Sequence, residues 1–131
     1  QPMNRVNLTR IAYNKMRFLF DGQVGILDFT KEDFEKTGCT FGQADGLVNK
    51  ALEVEGVRIA VLASEREEGI KMSLRAVEPD TVNDIAVQFG GGGHAQAAGC
   101  TVHAPLAEAL DMVLAAIKKK LDATPRQEKL A

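Results

Sequence analysis

Apolar residues recur at spacings of three and four in several segments of the chain, and this period predicts helices. The last of these segments has the most regular stripe, and Pro105 suits its first turn because proline needs no N–H partner there. The first helix is expected to stop at the Asp21-Gly22 pair. The predicted helices cover residues 5–20, 30–38, 43–53, 82–89 and 105–121. Thr30 is the expected N-cap of the second, and Asp80 or Thr81 that of the fourth.

Short apolar runs between these helices predict strands, and one segment alternates between apolar and polar residues. Over residues 70–77 this alternation places Lys71, Ser73 and Arg75 on one face of a strand. A charged turn over 65–69 joins that strand to the preceding one as a hairpin. The predicted strands cover residues 24–29, 57–63, 70–77 and 99–103. The fold class is therefore α/β, with a mixed central sheet of about four to five strands flanked by helices.

The chain has 131 residues, 45% of them hydrophobic, which suits one domain over 1–123 followed by a polar tail over 124–131. Its formal net charge of -2 gives no overall basic field, so any nucleotide contact must be local. No segment approaches the roughly 20 apolar residues of a membrane span, and no membrane partner is expected. Because the sequence starts at Gln1, it is expected to be part of a longer protein.

The chain has two cysteines, Cys39 and Cys100, which lie far apart in the sequence and show no C-x-x-C spacing. They are interpreted as free thiols of a reducing compartment, so a cytoplasmic location is expected. Cys100 and His103 have C-x-x-H spacing, but no second pair accompanies them and no metal site is predicted.

Four consecutive glycines occupy positions 90–93 and are followed by His94. Ordering glycine costs more backbone entropy than ordering any other residue, so the run is expected to serve positive φ or a close approach. Such a loop can present successive N–H groups to an anion, and a helical turn over 94–98 would reinforce it. His94 is a candidate general acid–base, phosphate ligand or metal ligand. An alanine at Gly92 is expected to damage binding because positive φ disfavours a Cβ.

The polar face of the strand over 70–77 is a second candidate anion site. Arg75 can bind a phosphate through two parallel hydrogen bonds, and Ser73 and Lys71 share its face. A strand–turn–helix return could bring Arg75 close to His94. Three polar residues earlier in the chain could contribute to a polar site, although helix capping or solvation is the favoured interpretation: Gln43, Asp45 and Asn49.

Three motifs in this order resemble the C-terminal DHH-associated domain of DHH phosphoesterases. The Gly-Gly-Gly-His sequence over 91–94, followed by Ala-Ala-Gly over 97–99, resembles that family's glycine–histidine motif. The sequence Lys-Met-Ser-Leu-Arg over 71–75 resembles its K-x-S-x-R strand. The segment over 45–49 is similar to one in the branch of nano-RNases and pAp phosphatases, bifunctional oligoribonucleases.

The resemblance implies a substrate-recognition domain that holds nucleotide phosphate. The residues implied to bind substrate are Ser73, Arg75, Gly91, Gly92, Gly93 and His94. His94 is also implied to assist catalysis near the reacting phosphate. The parent enzyme is implied to hydrolyse short oligoribonucleotides or pAp, with manganese bound by a separate N-terminal DHH domain of the same chain. No Asp-His-His sequence occurs here, so this chain alone is expected to lack cofactor, metal ligands and activity.

Other functions remain open at this point. The parent could be a RecJ-like exonuclease or a cyclic-dinucleotide phosphodiesterase. A long-strand exonuclease would be expected to have a basic, aromatic-lined groove, whereas this chain has one Tyr and no Trp. A non-catalytic RNA-binding module, like the related domain of alanyl-tRNA synthetase, or a dimerisation module forming a homodimer is the alternative of another class.

Overall fold

The computed structural model describes residues 2–125, and its strands form one six-stranded sheet. The strands are β1 (Arg17–Leu19), β2 (Val24–Phe29), β3 (Ile59–Arg66), β4 (Gly69–Ala76), β5 (Gly92–His94) and β6 (Ala97–Val102). The helices are α1 (Met3–Lys15), α2 (Lys31–Thr37), α3 (Phe41–Asp45), α4 (Val48–Leu52), α5 (Asn83–Gln88) and α6 (Leu106–Ala123). The strand order is β1-β2-β3-β4-β6-β5. Strands β2 and β3 are parallel, and all other neighbours in this sheet are antiparallel.

This mixed sheet with flanking helices confirms the predicted fold class, and it has six strands where about four to five were expected. The strands that the sequence pattern did not predict are β1 and β5, each three residues long and each at an edge. Strand β1 lies within the segment predicted as the end of the first helix. That helix stops at Lys15, and the chain turns through positive φ at Phe20, Asp21 and Gly22. Three residues are too few to show a strand period.

The sheet separates two hydrophobic cores, one on each face. Helices α5 and α6 pack on the first face, against apolar residues from β2, β3, β4 and β6. On the second face, the apolar residues of helices α1 to α4 pack against those of β2 and β3. Helices α3 and α4 also contact β4. The stripe predicted on α6 is buried in the first core as Ala109, Leu110, Val113, Ile117 and Leu121. On the second face, β6 and the polar side chains of β4 lie outside this core.

The sequence pattern predicted the N-cap of one short helix correctly and that of another wrongly. Thr30 caps α2 as predicted, because its hydroxyl accepts from the backbone N–H of Asp33. The single helix predicted over 43–53 is two helices, α3 and α4. Helix α5 begins without a side-chain cap, so the predicted cap by Asp80 or Thr81 is wrong. Asp80 instead accepts hydrogen bonds from the guanidinium of Arg58.

Helix α6 ends at Ala123, and the hydroxyl of Thr124, which follows it, donates to the carbonyl oxygen of Lys120 at 2.7 Å. The remainder of the predicted polar tail, residues 126–131, lies outside the described residues. Within residues 2–125, none of the helices combines the length and the apolar content that crossing a membrane requires.

Candidate functional site

The part of the second sheet face that lies outside the apolar core is the floor of an open cleft of about 750 Å³. Strands β4 and β6 form this floor, α3 forms one wall, and the glycine segment before and within β5 forms the opposite wall. The cleft exists because the apolar core on this face extends over β2 and β3 but not over β6 or the polar side chains of β4. A volume of this size lies within the usual range for small-ligand sites.

The polar side chains of β4 face this cleft, as the alternation predicted. Small residues on β6 lie opposite them, with Gly99 across from Ser73 and Ala97 across from Arg75. The guanidinium of Arg75 donates to the carbonyl oxygen of Leu74 at 3.1 Å, and its side chain is 20% exposed. Because the opposing residues are small, the floor leaves room above these polar groups.

Asp45, at the end of α3, contacts both of these β4 side chains. Its Oδ1 accepts a hydrogen bond from the Ser73 hydroxyl at 2.5 Å, and its Oδ2 lies 3.1 Å from Nη2 of Arg75. The interpretation of Asp45 as a helix cap or solvated residue is therefore wrong, whereas Gln43 does cap α3. No sequence spacing pointed to this pair, because 28 residues separate Asp45 from Ser73. The signal available was the resemblance of the segment over 45–49.

The glycine run is partly a helix end and partly a strand, so the predicted anion-binding loop is wrong in its geometry. The N–H groups of Gly90 and Gly91 point back into α5, where they donate to the carbonyl oxygens of Val87 and Ala86. Gly92 begins strand β5, which pairs with β6. The helical turn predicted over 94–98 is instead a β-hairpin, because His94 pairs with Ala97 in the antiparallel ladder.

Two of these glycines permit a close backbone approach. A Cβ at Gly91 would lie 2.0 Å from the carbonyl oxygen of Gly99, and one at Gly93 would lie 2.6 Å from Cα of Ala98. Gly93 also has a φ of 141°. At Gly92 no atom lies within 4 Å of an added Cβ, and φ is not in the left-handed region, so the expected strain at this position is absent.

The hairpin that carries His94 is anchored to its neighbours through its two turn residues. The carbonyl oxygen of Ala95 accepts from the N–H of Val82 at 2.7 Å, and that of Gln96 accepts from the N–H of Ala76 at 3.1 Å. His94 itself is exposed and lies outside the set of residues that line the cleft. The structure thus brings Ser73, Arg75 and the three glycines 91–93 together in one cleft and leaves His94 beyond its lining.

Four other residues of the cleft lining have aromatic, basic or thiol side chains: Phe41, Lys71, Cys100 and His103. The Lys71 ammonium lies 4.3 Å from the centre of the Phe41 ring, a cation–π contact that holds it beside the cleft. Burial raises the pKa of the Cys100 thiol, so it is a poor nucleophile at neutral pH. Within residues 2–125, no three His, Cys, Asp or Glu side chains come together as a donor set for manganese.

The fixed charges on the cleft lining are those of Lys71 and Arg75 against the single carboxylate of Asp45. A chain of net charge -2 thus has a locally basic cleft. This arrangement can bind an anion, and the 750 Å³ volume leaves room for a ligand much larger than phosphate itself.

Comparison with known proteins agrees with this architecture. Residues 21–123 match the DHHA1 domain family. The chain is 38% identical over 79 residues to the bifunctional oligoribonuclease and PAP phosphatase NrnA of Thermus thermophilus, covering 60% of this chain and 24% of that protein. It is 27% identical over 101 residues to the NrnA of Bacillus subtilis, covering 77% of this chain and 32% of that one.

A crystal structure of an exopolyphosphatase-related protein from Bacteroides fragilis has the same fold, with a TM-score of 0.84 at 29% identity. That match covers 92% of this chain and 36% of the other. The chain therefore spans at most about a third of the length of the relatives it matches. With its family match, its sheet and its glycine-walled cleft in agreement, this chain belongs to the DHHA1 family of DHH-associated domains, near the NrnA branch.

Proposed function

We propose that this domain holds the phosphate of a short oligoribonucleotide, of pAp or of both for a DHH-family phosphoesterase. The observation that carries the proposal is the polar face of β4, where Arg75 and Lys71 line an open cleft in a chain of net negative charge. Two of the relatives are named as oligoribonucleases and PAP phosphatases, which supports this substrate class.

The guanidinium of Arg75 is the main phosphate ligand in this proposal. It has five N–H donors, and its two nitrogens Nη1 and Nη2 each make one described contact, to Leu74 and Asp45. Donors remain for a phosphate above the strand, and a planar guanidinium can bind two phosphate oxygens at once. Lys71 adds a second positive charge on the same face, four residues earlier in β4.

Hydrolysis itself belongs, in this proposal, to a separate N-terminal DHH domain of the parent protein that binds manganese. The side chains of residues 2–125 offer no donor set for that metal, so no catalytic step is assigned to a metal held here. This chain alone is then inactive, and its role is to fix the substrate phosphate relative to the other domain. The exposed His94, at the end of β5, assists catalysis when the two domains enclose the substrate.

The free buried thiols of Cys39 and Cys100 support a reducing compartment, and we place the parent protein in the cytoplasm.

The test is a titration of the 131-residue chain with pAp and with a 5′-phosphorylated diribonucleotide, followed by amide chemical shifts. We expect the shifts to cluster on 71–75 and 90–94. Arg75→Ala removes at least one charge-assisted hydrogen bond, and each is worth about 1.5–3 kcal/mol. The dissociation constant should therefore rise about tenfold or more.

Arg17→Ala is the matched control, because Arg17 is also a strand arginine paired with an aspartate, Asp28, but lies outside the cleft lining. It should leave the dissociation constant unchanged. Equal affinity of the wild-type chain and Arg75→Ala, or no binding by the wild-type chain at millimolar ligand, would contradict the proposed function.

A further inference from the structure

Asp45 is the carboxylate on the lining of a cleft whose other fixed charges are positive. Each of its oxygens accepts one hydrogen bond, Oδ1 from the hydroxyl of Ser73 and Oδ2 from the guanidinium of Arg75. A carboxylate has about four acceptor positions, so these contacts leave others unused. The side chain is 34% exposed and lines the cleft, so the unused positions can be reached by a ligand there.

The contact with Asp45 also determines what Ser73 can do. Its hydroxyl has a single hydrogen, and an ionised carboxylate has none, so Ser73 must be the donor of this hydrogen bond. Ser73 is 5% exposed, and its oxygen retains only acceptor capacity. A phosphate oxygen is itself an acceptor, so neither Ser73 nor Asp45 suits a phosphate in this arrangement. Ser73 and Asp45 therefore suit a ligand group that donates a hydrogen bond.

Arg75 places this acceptor pair next to the proposed phosphate position, because the same guanidinium contacts Asp45 and faces the cleft. Short oligoribonucleotides and pAp both have a hydrogen-bond donor beside a phosphate, namely the ribose 2′-hydroxyl next to the 3′-phosphate. Acidic side chains accept hydrogen bonds from ribose hydroxyls in dinucleotide-binding folds, and the 2′-hydroxyl is the group that distinguishes RNA from DNA.

We propose that Asp45, held by Ser73 and Arg75, accepts a hydrogen bond from the ribose 2′-hydroxyl and so selects ribonucleotides over deoxyribonucleotides. This inference rests on the proposed function, because it requires Arg75 to bind the neighbouring phosphate. It adds a specificity-determining residue that sequence spacing did not reveal, and it assigns Ser73 to the position of the carboxylate rather than to phosphate.

The experiment compares adenosine 3′,5′-bisphosphate with its 2′-deoxy counterpart by calorimetric titration of the 131-residue chain. One hydrogen bond to a charged group corresponds to about a tenfold preference for the ribose ligand in the wild-type chain. In Asp45→Asn the ratio of the two dissociation constants should fall to about twofold or less, because the amide is a weaker acceptor and loses one of its two supports.

Asp28→Asn is the matched control, since Asp28 is also paired with an arginine, Arg17, and lies outside the cleft lining. It should keep the tenfold ratio. The amide spectrum of each variant checks that it is folded, and the wild-type comparison of the two ligands requires no substitution at all.

The outcomes separate the two proposals. If the wild-type chain binds both ligands equally well, the ribose inference is overturned and the phosphate proposal stands. If Asp45→Asn keeps the full ribose preference, the preference does not come from Asp45 and the inference is again overturned. If the wild-type chain binds neither ligand at millimolar concentration, the proposed function fails and the inference fails with it.

Discussion

At the scale of single residues, the glycines before and within β5 differ more from one another than their uniform sequence indicates. Gly91 and Gly93 lie so close to the backbone of β6 that a Cβ at either would overlap it. Gly92 lies between them with open space around it. The sequence pattern predicted that this run serves close approach or positive φ, but only the pairing with β6 shows which glycine serves which need.

Gly93→Ala should therefore lower the free energy of unfolding by about 1–3 kcal/mol, because it combines a φ of 141° with a clash against β6. Gly92→Ala is its matched control and should change that free energy by less than about 0.5 kcal/mol. Urea denaturation followed by circular dichroism measures both. Equal losses at the two positions would show that the backbone assignment of β5 is incorrect.

At the same scale, Asp45 makes contacts that the sequence pattern did not predict. A polar residue near a helix end is ordinarily a cap or a solvated side chain, and Gln43 behaves in this way. Asp45 has a different role because β4 passes beside α3 and places Ser73 and Arg75 within hydrogen-bond distance. Contacts across 28 and 30 residues have no local period, so a sequence pattern does not reveal them.

At the scale of elements, helix α2 shows a start that the sequence pattern predicted correctly. Thr30 and Asp33 form a reciprocal capping box, in which each side chain bonds the backbone N–H of the other. Asp33 also bonds the ammonium of Lys15 at 2.5 Å, which ties α2 to the end of α1. Burial by itself raises the pKa of Asp33, but the hydrogen bonds from Lys15 and Thr30 outweigh it, and the pKa lies below its ordinary 3.8.

A lowered pKa in the folded state makes this contribution to stability depend on pH. The contribution is complete above the ordinary pKa of 3.8 and is lost as the pH falls through the lower, folded-state value. Asp33→Asn should therefore lower the free energy of unfolding by about 1.5–3 kcal/mol at pH 7, since it removes hydrogen bonds to a charged group. The difference from the wild-type chain should shrink as the solution is acidified below pH 3.8.

Urea denaturation of the two proteins over a series of pH values measures this difference. Glu32→Gln is the control on the same helix turn, because its 3.6 Å ion pair with Lys36 is exposed and such pairs contribute little. A difference between Asp33→Asn and the wild-type chain that stays constant with pH would contradict the assigned ionisation.

At the scale of the whole molecule, Arg58 connects three distant parts of the chain. Its guanidinium forms two hydrogen bonds with Asp80, at 2.9 and 2.7 Å, and a third with Gln23 at 3.0 Å. It also donates to the carbonyl oxygen of Thr124 at the end of α6. The Arg58 side chain is 11% exposed, as is that of Asp80, so this ion pair is largely shielded from water.

Arg58→Met should lower the free energy of unfolding by about 3–5 kcal/mol, because it leaves the buried carboxylate of Asp80 unpaired. The double variant with Asp80→Leu should lose less than the sum of the two single variants, since the unpaired charge is then removed. A double-mutant cycle by urea denaturation gives this coupling. Arg17→Met, from a more exposed ion pair, should lose no more than about 1 kcal/mol, and strict additivity at Arg58 and Asp80 would contradict a buried pair.

The sequence by itself determined the helices and strands with clear periods, the α/β class and the polar face of β4. These follow from local alternation and from the burial of apolar stripes, which each segment carries in its own residues. The sequence pattern did not predict the edge strands β1 and β5, because three residues are too few to show a period. These two strands form only through pairing with β2 and β6. The family resemblance also came from the sequence, through motifs rather than through periodicity.

Only the tertiary structure decided that the apolar residues of helices α1 to α4 pack on β2 and β3 and leave a cleft above β4 and β6 on the same face. That arrangement creates the cleft and brings Asp45 to Ser73 and Arg75. The physical reason is that these contacts join residues far apart in the chain. Their geometry depends on how whole elements pack, a property that no single segment of sequence contains.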